Sequence, residues 1–175
     1  VAGVPLATLC GATSRWAAVR SVSKFLGPDL RLALVAGDRL TIGRLRGRLA
    51  IGPRWVSRLL QQLAHIMWSD PSNGRRLARA GEIYAQRRGA LLAALAERGI
   101  AAHGRSGFHV WVPVRAETAA VQILAARGWA VAAGERFRLR SGPAVRITTS
   151  ALSARAAIQL AADLEAAARS GAVPV

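Results

Sequence analysis

The sequence predicts an α/β fold in which a small sheet is covered by helices. Three features carry that expectation. Short apolar runs of strand type alternate with longer stretches whose apolar residues return at helical spacing. Residues that start and stop helices stand at the joints, Asp38, Gly99, Gly128 and Ser153 among them. Hydrophobic residues make up 52% of the 175, enough for a sizeable core in one domain, or in one domain and part of a second.

In chain order, the apolar-aromatic run from Trp16 to Arg20 is expected as a strand, and Arg31-Leu-Ala-Leu-Val-Ala36 as a second. Between them, Ser21-Val-Ser-Lys-Phe-Leu-Gly-Pro28 carries hydroxyls, a glycine and a proline, which is turn chemistry. Asp38 is placed to cap a helix through Leu49, and Pro53 to open another that ends near Trp68. Asp70-Pro-Ser-Asn-Gly74 reads as the clearest break in the chain. A long amphipathic helix is expected after it, from Arg75 to Arg98, stopped by Gly99. Gly107-Phe-His-Val-Trp-Val-Pro113 predicts a strand with Phe108, Val110 and Val112 on one face. A helix from Glu117 to Arg127 closes at Gly128, and Trp129 to Ala133 and Ala144 to Thr149 follow as strands. Ser153 caps a last helix that reaches Arg169. No internal repeat or low-complexity linker interrupts the pattern.

Composition narrows the function classes. No apolar run reaches the roughly 20 residues of a membrane helix. The apolar opening from Val1 to Cys10 lacks the basic start of a signal peptide, so a cytoplasmic protein is expected. The opening valine and the run Val-Ala-Gly-Val-Pro-Leu read as mid-protein sequence, a fragment of a longer chain. Cys10 is the only cysteine, which removes disulfide frameworks and thiolate metal clusters; a buried spectator thiol is the expectation. His65, His103 and His109 lack metal-ligand spacing, so no metal site is expected. The five tryptophans sit among aliphatics as core residues would, and no Ser-His-Asp set or phosphate-loop glycine pattern is present.

The formal charge of +16 suggests phosphate partners. Its distribution argues otherwise. Arginines spread from Arg15 to Arg169, often at helical spacing, as on solvated helix faces, and Arg75, Arg76, Arg79, Arg87 and Arg88 share one such helix. Of 25 lysines and arginines, Lys24 is the one lysine, leaving 24 arginines. A chain that uses arginine wherever a cation serves, yet keeps one lysine, points to chemistry that guanidinium cannot perform. An amine can deprotonate and attack a carbonyl.

The segment Ser21-x-Ser23-Lys24-x-x-x-Pro28-x-Leu30-Arg31 resembles the cofactor-lysine segment of class I/II aminotransferases of fold type I and of MocR-type members of the GntR regulators, which carry an aminotransferase-like domain. Ser106-Gly-Phe-His-Val-Trp111 is similar to the family's glycine-led small-domain strand. Val131-Ala-Ala-Gly-Glu-Arg-Phe137 and Ala144-Val-Arg146-Ile-Thr-Thr-Ser150 resemble its closing part. The stretch from Arg20 to Val35 looks closest to the MocR-type regulators, particularly their PtsJ-like group; Asp29 and Ala33 replace glycines common in ordinary aminotransferases.

The resemblance implies pyridoxal 5'-phosphate (PLP) as cofactor, with Lys24 forming the Schiff base, Ser21 and Arg31 on the phosphate, and Ser23 as a further contact. It implies Arg146 as partner of a substrate carboxylate. It also implies residues 1–72 as the end of the PLP-binding large domain and residues 73–175 as the small α/β sandwich domain. The cofactor-ring aspartate and stacking aromatic of the family lie before the lysine, outside these residues. A homodimer is implied, with an amino acid or PLP as ligand and DNA contacted through an N-terminal winged helix-turn-helix absent here. Three functions remain open: an effector-sensing module of a regulator, an active amino acid aminotransferase, and a PLP-free basic structural module.

Overall fold

The computed structural model describes residues 9–169, the side chain of Arg169 excepted. Its residues fall into two compact units, one ending at Ala78 and the other beginning at Arg79.

The first unit opens with an antiparallel pair, β1 (Ala17–Ser21) and β2 (Ala33–Gly37), in which Ser21 lies opposite Ala33 and Ala17 opposite Gly37. Asp38 then caps α1 (Arg39–Ile51), as its position predicts: its carboxylate accepts hydrogen bonds from the amides of Leu40 and Thr41. The next helix, α2 (Arg58–Ser69), starts at Arg58 and not at Pro53. Arg54 takes a left-handed conformation with φ of 60°, which no helix accommodates, and the cap falls to Ser57, whose hydroxyl accepts from the Leu60 amide at 3.4 Å.

The expected break at Asp70–Gly74 is also corrected. It shrinks to Asp70 alone, because α3 (Pro71–Ala96) begins at the proline. Proline suits a first helical turn, where its missing N–H leaves no bond unmade. The Asp70 carboxylate accepts from the Ser72 amide and hydroxyl, each at 2.8 Å, so residues of loop type here open a helix.

In the second unit the last turns of α3 end at Gly99, whose φ of 69° lets the Ile100 amide reach back to the Leu95 carbonyl at 3.0 Å. There follow β3 (His109–Pro113), α4 (Glu117–Ala126), β4 (Ala132–Ala133), β5 (Ala144–Thr148) and α5 (Ala154–Arg169). The sheet is antiparallel in the order β3-β5-β4. Val110, Val112, Val145 and Ile147 turn one face of it into a core shared with Leu91, Leu95, Leu124, Leu160 and Leu164. β4 is shorter than the expected strand from Trp129. The Trp129 amide instead closes the end of α4 by donating to the Leu124 carbonyl at 2.9 Å, so it is not free for the sheet, and its indole N–H donates to Asp163 of α5 at 2.7 Å.

Four more expectations need amendment. Cys10 is exposed, not buried. Trp55 is 73% exposed, and Trp68 is also exposed, so neither is a core residue among the described residues. Phe108 precedes β3 and packs edge-on against Tyr84 instead of extending the valine face. Arg75, Arg76 and Arg79 face solvent, but Arg87 and Arg88 are half-buried and donate to the carbonyls of Ser150 and Gly107.

Candidate functional site

Lys24 closes a single 3-10 turn, Val22–Lys24, in the connection between β1 and β2. Several bonds fasten that connection. The Val22 amide continues the ladder to the Leu32 carbonyl at 3.0 Å, and the side chains of Val22 and Leu30 are buried beneath it. The Ser23 hydroxyl donates to the Leu30 carbonyl at 2.6 Å across the loop. Phe25, next to the lysine, packs edge-on against Trp68 with ring centroids 5.1 Å apart. The Arg20 guanidinium lies 5.6 Å from the Phe25 ring and 5.0 Å from that of Trp68, a cation–π arrangement on both. Sequence reasoning gave Arg20, Phe25 and Trp68 no role at this loop; the types of Arg20 and Phe25 beside Lys24 were the available signal, and Trp68, distant in the chain, offered none.

The ladder runs residues 21 and 22 beside 33 and 32, so Ser21, Lys24 and Arg31 belong to one hairpin end. All three are exposed, and among the described residues their side chains make no hydrogen bond or ion pair. Ser23 differs. A hydroxyl has one proton, and this one serves Leu30, so in this geometry Ser23 can accept but not donate. A hydroxyl, a guanidinium and an amine on one tied loop are the donor types suited to a phosphate and a carbonyl carbon. A cavity of about 420 Å³ lies between the hairpin and α2, with Val22, Leu32, Leu34, Val56, Ala64 and Trp68 in its walls; neither Lys24 nor Arg31 lines it.

Arg146 belongs to the second unit. It stands mid-strand in β5, opposite Trp111 of β3 and Ala132 of β4, on the face turned away from the valine core. Its Cζ lies 3.7 Å from the centre of the Phe137 ring, and its Nε is buried with no hydrogen-bond acceptor among the described residues. Nearby, Glu117 at the start of α4 accepts from the amides of Glu135 at 2.8 Å and Ala144 at 2.9 Å, and its Oε1 lies 3.1 Å from Arg138 Nε. Burial pushes the Glu117 carboxyl up, but the Ala144 and Glu135 amides and the Arg138 guanidinium together outweigh it and hold the group below its usual value. Neither Glu117 nor Phe137 stood out in the sequence. The residues concerned are far apart in the chain, and no spacing rule links them.

No family model matches the chain. In sequence it is 44% identical over 158 residues to the vitamin B6 salvage pathway transcriptional repressor PtsJ of Salmonella typhimurium, a match covering 89% of this chain and 36% of that protein. In structure it matches an aromatic aminotransferase from Pyrococcus horikoshii with a TM-score of 0.75 at 18% identity, over 88% of this chain and 43% of that one. The fold is the C-terminal portion of fold type I. LysN, an α-aminoadipate aminotransferase from Thermus thermophilus complexed with N-(5'-phosphopyridoxyl)-L-leucine, aligns with a TM-score of 0.70 at 19% identity, over 88% of this chain and 42% of that one. The chain thus spans little more than a third of the repressor and about two-fifths of the fold-type-I enzymes.

Proposed function

We propose that this chain is the C-terminal part of an effector-sensing module in a MocR/GntR-type transcriptional regulator, and that it binds PLP through Lys24. The observation that carries the proposal is the tied hairpin end, where the one lysine shares a loop with the unengaged side chains of Ser21 and Arg31. The 44% identity to a repressor of vitamin B6 salvage supports the choice of cofactor and of a regulatory role.

These donors fit the group. Arg31 and Ser21 would hold the phosphate, Lys24 would hold the aldehyde carbon, and Ser23, its proton committed to Leu30, keeps the loop closed. When bound, PLP supplies an electrophilic aldehyde and an electron-drawing ring. Residues 1–72 are assigned to the large domain and 73–175 to the small domain; the separation of the two compact units after Ala78 supports a boundary in that region. The complete protein is proposed as a cytoplasmic homodimer that contacts DNA through a winged helix-turn-helix outside these residues. Among the described residues no helix is long and apolar enough to cross a membrane.

The second reading, an amino acid aminotransferase, is favoured by Arg146, whose buried and unsatisfied Nε suits a substrate carboxylate. Exposure of the chain to PLP followed by borohydride reduction tests the shared claim. Mass spectrometry is expected to find a pyridoxyl adduct on the Lys24 peptide, absent from Lys24→Ala. Arg31→Gln is expected to raise the PLP concentration needed by about tenfold or more, the loss of a charge-assisted phosphate contact. Labelling confined to the terminal amine, or indifferent to Arg31, rejects the site. In the complete protein, conversion of the cofactor to its amine form by an amino acid supports the enzyme, whereas a PLP-dependent change in DNA affinity without it supports the regulator.

A further inference from the structure

Arg146 is held by a brace whose parts come from three places in the chain. The segment between β4 and β5 leaves the sheet at Gly134, carries Phe137, and returns at Ala144. Glu117 ties both ends of that segment with one carboxylate. Oε2 takes the Glu135 amide at 2.8 Å, Oε1 takes the Ala144 amide at 2.9 Å, and Arg138, next to Phe137, makes an ion pair with Oε1 at 3.1 Å. The Glu117 side chain is only 9% exposed, so these bonds form out of water, where a lost partner costs most.

Close packing adds a second constraint. A Cβ on Gly134 would stand 2.6 Å from the Ala144 carbonyl oxygen and 2.7 Å from Cη2 of Trp111, the residue opposite Arg146 in register. The segment can therefore approach the sheet this closely only with glycine at that position. Within the segment the amides of Phe137 and Arg138 return to the Gly134 carbonyl at 2.8 and 3.0 Å, which fixes where the ring emerges. The ring then covers the Arg146 guanidinium at 3.7 Å.

Phe137 is itself 46% exposed, so burial does not account for its position. What the ring does in this structure is occupy one side of the Arg146 guanidinium, leaving Nε buried without an acceptor. A buried N–H without a protein acceptor is destabilising unless water or a ligand oxygen completes it.

We infer that Glu117 and Phe137 are positioning residues for Arg146, holding its guanidinium ready for a planar carboxylate. The inference rests on the reading of Arg146 as a carboxylate partner given above. Glu117 acts through the loop, and Phe137 acts through its ring. Arg146 alone touches the ligand.

The arginine Nε–H resonances of the 15N-labelled chain test this, with Arg146→Lys identifying the signal to follow. In the wild type that signal is expected to carry the upfield ring shift of Phe137 and to move saturably with added acetate, but not with chloride at equal concentration. Phe137→Leu, which leaves the Glu117 bonds intact, is expected to remove the ring shift and weaken the acetate response about threefold to thirtyfold, with Phe137→Tyr restoring both. Glu117→Gln is expected to act in the same direction, provided the backbone signals of β5 and α5 show the fold retained. An unchanged Arg146 signal in Phe137→Leu overturns the inference, whatever Glu117→Gln does to folding. Acetate that leaves the wild-type signal unmoved, with the ring shift present and sensitive to both variants, removes instead the carboxylate reading, and PLP labelling at Lys24 is scored separately from either.

Discussion

One carboxylate at Asp38 joins a helix to a hairpin. Oδ1 accepts the amides of Leu40 and Thr41, each at 3.1 Å, while Oδ2 accepts the amide of Trp16 at 2.9 Å, just before the strand that leads to Lys24. Arg15 stands 3.5 Å away but is largely solvated, so neutral donors do most of the holding. Hydrogen bonds from Thr41 first, and then from Trp16, hold the carboxyl well below the usual carboxylate range. A depressed folded pKa gives stability that is complete above the unfolded value of roughly 4 and is lost as pH falls from there through the folded value. Asp38→Ala is therefore expected to lower the urea midpoint at pH 7, with the gap to wild type narrowing progressively below about pH 4. Asp38→Asn is expected to fall between the two, because its amide keeps one acceptor for the helix but turns a donor toward the Trp16 N–H. A gap independent of pH would show that the charge on Asp38 contributes nothing.

At the scale of elements, α5 shows what sequence spacing can and cannot reveal. Ala157, Leu160, Ala161, Leu164, Ala167 and Ala168 are buried at the three-and-four spacing of one helix face, while Ile158 is 55% exposed on another. Leu164→Ala is expected to cost about 2–5 kcal/mol by leaving a cavity in the core, and Ile158→Ser to stay within roughly 0.5 kcal/mol, both measured by chemical denaturation. Equal costs would mean that the helix is packed on a different face. The same periodicity made α3, α4 and α5 legible in advance, with Gly99, Gly128 and Ser153 at their ends, and Asp38 marked the start of α1. Local cues misled where two meanings share one residue type. Pro53 and Pro71 both suit a first helical turn, yet the left-handed Arg54 removes the first from any helix, while Asp70 turns an apparent loop into the start of α3. The Lys24 hairpin was legible because its residues are contiguous. The brace on Arg146 was not, since Glu117, Gly134, Phe137 and Ala144 meet only through tertiary folding.

For the whole chain, burial is unevenly shared between the two units. Among the described residues the continuous apolar core runs from Leu91 to Ala168 and lies in the second, whereas the buried apolar residues of the first are Val22, Leu30 and Ala64. The first unit also exposes Val19, Leu34, Leu49, Ile51, Trp55 and Leu59 among its large hydrophobics. Burying apolar area is what offsets the entropy of ordering a chain, so local opening should be easiest where least is buried. Native-state amide exchange is expected to show the strongest protection in β3, β5, α4 and α5, and much weaker protection in β1, β2 and α1 of this chain. That order bears on the proposed site. The Lys24 loop depends on the hairpin ladder and a few side-chain ties, so a bound ligand that favours its closed form should protect β1 and β2 more than the second unit. Exchange with and without PLP measures both effects, and equal protection of the two units, or a PLP effect confined to the second, would break the link between burial and ligand response argued here.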